Sequence, residues 1–139
     1  VLPIPLQPDA MIAERCVQLV LLVAAIIHLA PISGLAGAEA LQRLYGVDLT
    51  DPSTLMLIRH RAVLFALVGL PLVISLFLPA WRVPALCGAV ISVSAFLGLA
   101  TTLPALNPAL LRAVQIDIGL ILLILPALGW CLRMGQAPG

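Results

Sequence analysis

Apolar residues fall into four long runs, at residues 16–34, 62–78, 84–103 and 110–130, and polar residues gather in the breaks between them. Each run is close to the roughly 20 residues that an α-helix needs to cross a bilayer. The pattern predicts an all-α fold, an antiparallel four-helix transmembrane bundle.

Local signals set the ends of these helices. Pro3, Pro5 and Pro8 fix φ and remove backbone donors, so residues 1–10 are expected to be an extended Pro-rich arm. The single four-span domain then covers residues 11–139, with its first helix starting near Asp9 to Met11 and fading between Pro31 and Gly34. Between the first two spans, Leu41, Leu44 and Tyr45 share one helical face while Glu39, Gln42 and Arg43 share the other. Glu39 and Arg43 stand four apart and Gly46 suits a C-terminal cap. A short interfacial helix follows from this, with Tyr45 at headgroup level. Asp51 is a good N-cap and Pro52 a good first residue for the second span, which ends before Pro79 and carries Pro71 inside it. Pro84 opens the third span and Pro104 ends it; Asn107 and Pro108 open the fourth, which leaves the membrane at Trp130. In the third span Ala85, Gly88, Ser92 and Ala95 form one small-residue face and Ser94 with Gly98 another, which predicts close helix approach there.

Composition narrows the class. Of 139 residues, 63% are hydrophobic and 9% charged, so no soluble domain of useful size lies outside the spans. Net charge is +1 and the seven basic residues are all Arg, with no basic run to hold nucleic acid. Arg15, the first apolar run and Ala36-Gly37-Ala38 have some look of a secretory signal. That run is longer than a usual signal core, so a retained first helix is expected.

In an antiparallel bundle the chain reverses at every loop, which brings the polar residues to a common end, here called A. His28, Arg59, His60, Arg61, Thr101, Thr102, Arg112, Gln115 and Asp117 all fall towards it. His28 and Asp117 lie several residues inside the membrane boundary, where an ionisable group costs several kcal/mol unless paired or hydrated. Partners available to Asp117 are Arg61, His60 and His28. One reading is a pocket in which Arg59 or Arg61 takes an anionic or carbonyl group and His28, His60 and Asp117 handle protons. The other is an Asp117–arginine pair that holds the second and fourth spans in register while outer arginines reach phosphates. Arg59 and Arg61 point about 200° apart on a helix, so at most one faces Asp117. The two histidines raise haem b as a cofactor, which needs both rings in one slot at one level. The sequence has no Cys-x-x-Cys motif, P-loop or nucleophile elbow.

The opposite end, B, carries Arg15, Arg82 and Arg133, against Arg43 in the loops at A and the edge arginines 59, 61 and 112. Assigning the edge arginines to the polar cluster leaves three against one, and the positive-inside rule then puts B and both termini in the cytoplasm. Cys16, Cys87 and Cys131 also lie at B; their odd number speaks against a disulfide framework, and buried thiols are a better reading than a three-cysteine metal site.

The order of a first span, Leu44-Tyr45-Gly46 in the linker, and Arg59-His60-Arg61-Ala62-Val63-Leu64-Phe65 entering the second span resembles the small DoxX-like bacterial four-helix membrane proteins. That resemblance implies an inner-membrane bundle with roles from accessory subunit to redox-linked function, and it carries no catalytic residue. The reading is an accessory or assembly subunit that binds a lipid or a larger membrane partner, or forms a homo-oligomer. The alternatives are a small redox or quinone- or haem-binding enzyme using His28, His60, Arg61 and Asp117, and an oligomeric transporter coupled through Asp117.

Overall fold

The structure, a computed structural model, describes residues 8–135. Helix α1 runs over Pro8–Leu29 and passes into a 3-10 turn at Ala30–Ala36. The short helix α2 follows at Ala38–Tyr45, then α3 at Pro52–Phe77, a 3-10 turn at Pro79–Trp81, α4 at Arg82–Ala100 and α5 at Pro108–Gly135. Each span packs on its neighbour in sequence, and α5 closes the ring on α1. This is the expected four-helix bundle with a short helix between the first two spans.

Several end signals act as the sequence implies. An oxygen of Asp51 accepts the Thr54 amide at 2.7 Å and the Thr54 hydroxyl at 2.7 Å, satisfying groups that the first turn of α3 leaves open. Burial is negligible there, and the two bonds hold the Asp51 carboxyl below its usual range. Gly46 caps α2 in the left-handed region at φ 64°. Asn107 serves two elements: its carbonyl oxygen accepts the Leu110 amide at 2.8 Å, and its amide donates to the Tyr45 carbonyl at 2.9 Å. The start of α5 is thereby tied to the end of α2.

Other boundaries move. Residues 8–10 belong to α1 rather than to an extended arm, because proline is well tolerated in a first helical turn; the rest of that arm lies outside the described residues. Helix α4 starts at Arg82, two residues before Pro84, and stops at Ala100, four before Pro104, where Thr101 and Thr102 hydroxyls donate to the carbonyls of Gly98 and Leu99. Helix α5 continues past Trp130 to Gly135.

Leu21, Leu72, Leu86, Leu120 and Ile124 are fully buried and bring all four spans into one core, with Ala24, Ala25, Ala85 and Ala89 between them. Outside this core the helices are apolar too. No more than 28% of any span's most apolar window is buried, while mean hydropathy over these windows is 1.9 to 2.3. Leu19, Ile91, Leu99 and Leu122 are all more than 60% exposed. In water such a surface would far exceed the few hundred Å² of apolar patch typical of a soluble monomer. The chain is therefore a multi-pass membrane protein, and its core gains from close packing rather than from escape from water.

The closest packing differs from the expected place. A Cβ on Gly69 of α3 would stand 2.5 Å from Leu29 Cδ2 and 2.7 Å from its Cγ, so α1 and α3 approach closely there. A Cβ on Gly34 would likewise meet Leu41 Cδ2 at 2.5 Å, which is the space that lets α2 fold back against the 3-10 turn. Gly88 and Gly98 of α4, by contrast, have open space around them, and Ser94 and Ala95 are exposed. Only Ala85 of the two predicted small-residue faces is fully buried, because the inward stripe of α4 runs through Ala85, Ala89 and Val93.

Candidate functional site

Arg61 is the centre of the A end. Its guanidinium carbon sits 5.1 Å from the centroid of the Phe65 ring, 5.5 Å from Phe96 and 5.6 Å from Tyr45. The three rings come from α3, α4 and the last residue of α2, so the cage exists only once those elements have packed. A desolvated cation–π contact is worth about 2 kcal/mol or more, and three of them hold the charge without using its N–H donors. Among the described residues no protein acceptor bonds those donors. Burial raises the Tyr45 phenol above its usual value, against the pull of the Arg61 cation, so the ring faces the charge in its neutral form.

Two cavities meet at this cage. One, of about 390 Å³, is bounded by the ends of α1, α2 and α5 and holds Arg43, Tyr45, Arg61, Arg112 and Asp117. The other, of about 520 Å³, lies along α3 and α4 and is lined by Leu64, Val68, Leu99 and further apolar residues with Ser92. Arg61, Phe65 and Phe96 line both. Both volumes are in the range of small-molecule sites, roughly 300 to 1,000 Å³.

The predicted residues divide into three groups. Arg61, Arg112 and Asp117 share the first cavity, and Arg59 does not, as the helical angle between Arg59 and Arg61 requires. Arg59 and His60 instead line a separate surface groove with Leu35 and Met56. Gln115 is exposed on α5 and lines none of these spaces, and Thr101 and Thr102 serve their own backbone. His28 is 2% exposed; its Nδ1 lies 2.9 Å from the Ala24 carbonyl, and its ring is tilted against Phe65 at 6.1 Å. A helix always offers a carbonyl four residues back, and that contact takes the place of Asp117 as its partner. With His60 exposed on the other side of α3, the two histidines do not share a slot that would fit a bis-histidine haem, and His28, His60 and Asp117 do not form one proton-handling set. Among the described residues no three His, Cys, Asp or Glu side chains stand close enough to hold a metal ion.

Asp117 and Arg61 face one cavity but make no ion pair within 4.0 Å. Among the described residues, the ion pair that ties helices together is at the other end of the bundle. Arg82 Nη1 donates to Glu14 Oε2 at 2.8 Å and Nη2 to Glu14 Oε1, a bidentate bridge from α4 to α1. Arg82 Nε also donates to the Ser75 carbonyl of α3 at 3.4 Å, and Gln18 donates to Glu14 at 3.2 Å. Arg82 is 7% exposed, so it is no loop arginine. Sequence reasoning missed it because Arg82 entered only the positive-inside count. Opposite charges at one depth at one end were the available signal. Of the nearby thiols Cys131 is buried, but Cys16 is exposed on the outward face of α1. Glu39 and Arg43 form no ion pair; Arg43 turns to the first cavity.

No protein-family model matches the chain, and neither a curated protein nor a solved structure matches it.

Proposed function

We propose that the protein is an integral membrane accessory or assembly subunit that binds an amphiphilic, oxyanion-bearing lipid at Arg61. The observation that carries this reading is a guanidinium held by three ring faces, with its donors unbonded to protein, where a charged cavity meets an apolar one. A planar fork fixed in that way is suited to two parallel bonds with a carboxylate or phosphate. Arg43 and Arg112 add positive charge in the same cavity, and Asp117 is its single carboxylate.

The DoxX-like resemblance bears on the same place. Tyr45 comes from its linker motif, and Arg61 and Phe65 from its second motif, so two segments 13 positions apart at their nearest ends supply most of the cage. A bacterial inner membrane is the location that goes with this reading, with both termini cytoplasmic. Arg15 and Arg133 at the B end against Arg43 at the A end favour that orientation, by a margin narrowed by the ion pair of Arg82.

Native mass spectrometry after purification in mild detergent tests the proposal. The wild type is expected to carry lipid or a protein partner, with the lipid adduct lost in Arg61→Ala. A bare monomer that behaves like the variant would overturn it.

A further inference from the structure

We infer that the occupant is an anionic phospholipid taken from the surrounding bilayer, with its phosphate on Arg61 and one acyl chain laid along the cleft between α3 and α4. This rests on the lipid-binding reading above and adds the lipid class and its pose.

The shape of the site requires an amphiphile. The cavity at α2 and α5 holds three arginines and one aspartate, and all its other lining residues but Tyr45 are apolar. The α3–α4 cleft holds no charge except Arg61 itself, and Ser92 is its one other polar side chain. A free phosphate would use the first space and leave the second idle; a neutral lipid would do the reverse. A phosphodiester offers two equivalent oxygens to the guanidinium fork, while the exposed Arg43 and Arg112 stand where the rest of a headgroup reaches the membrane surface.

The two parts of such a lipid contribute differently. Its chain is already out of water in the bilayer, so entering an apolar cleft brings no hydrophobic gain. Selection must come from the headgroup, and the cleft only fixes where the chain lies. That separation makes the pose testable. Ala95 is exposed on the wall of the cleft, so Ala95→Trp places a ring in the chain's path without entering the helix core.

The experiment uses the full chain in phosphatidylcholine nanodiscs doped with phosphatidylglycerol, spin-labelled on one acyl chain, with labelled phosphatidylcholine as the reference. Wild type is expected to prefer phosphatidylglycerol about fivefold, roughly the factor that one arginine contributes beside anionic lipid, and to show a motionally restricted component from its chain. Arg61→Ala should abolish the preference. Ala95→Trp should keep the preference and lose the restricted component. Equal retention of the two lipids by wild type would sink the lipid-binding reading itself. A preference that depends on Arg61, with a restricted component unchanged in Ala95→Trp, would sink the chain placement alone.

Discussion

Arg61 and Asp117 share a cavity without touching, and this gap decides what each substitution does. Because no direct bond is lost and an unpaired carboxylate at membrane depth is itself costly, Asp117→Asn should lose no more than about 0.5 kcal/mol of stability, when unfolding in mixed micelles is followed by circular dichroism. A register-setting ion pair would give several times that. Asp51 behaves in the opposite way, since its carboxylate is bonded to the first turn of α3. Its folded pKa lies below the unfolded one, so its contribution is present above the ordinary carboxylate range and lost as pH falls through the lowered value. Hydrogen exchange at the Thr54 amide should rise in Asp51→Ala at neutral pH, and in wild type only under strong acid. The glycines make a third contrast. Gly69→Val forces a side chain into Leu29 and should cost about 2 kcal/mol, an ordinary overpacking penalty, whereas Gly88→Ala, in open space, should gain up to about 1 kcal/mol of helix propensity. A similar outcome at both positions would refute the packing described.

Among the elements, the bond from α1 to α4 is the unusual one, because these two spans stand diagonally in the ring and are not packing neighbours. Removing one partner of a buried pair strands the other, at about 3 to 5 kcal/mol. Glu14→Leu strands the more buried Arg82 and should approach that figure, and Arg82→Met should fall below it because the Glu14 it leaves is the more exposed partner. In the double variant the loss should be well under the sum of the singles, measured by the same unfolding assay. The number, order and main ends of the helices were legible in the sequence, since apolar run length, Asp51-Pro52 and Asn107-Pro108 are local signals with local physical causes. Helical phase also separated Arg59 from Arg61. What remained hidden depends on contacts between distant segments. Tyr45 and Phe96 reach Arg61 from other helices, and nothing in their own neighbourhoods marks them. His28 is buried in the bundle, but the choice of its own backbone as partner is a rotamer preference that spacing does not encode.

For the molecule as a whole, the outward apolar faces commit it to the bilayer, while its charges are divided between two ends with different tasks. A reporter fused at the C-terminus should be active only in its cytoplasmic form, and activity of the exported form would reverse the orientation proposed. The division of charge has a mechanical consequence. The Glu14–Arg82–Ser75 bonds join α1, α3 and α4 at one end, and the caged arginine stands 14 residues up α3 from Ser75, about 21 Å along the axis. With the clamp taken as a pivot, α3 is its lever arm. A tilt of roughly 10° about it displaces the backbone at Arg61 by about 4 Å at that helical rise, enough to widen the mouth between the rings while hardly disturbing the leucines beside the fulcrum. Loosening of the molecule should therefore begin at the A end and leave the B end closed.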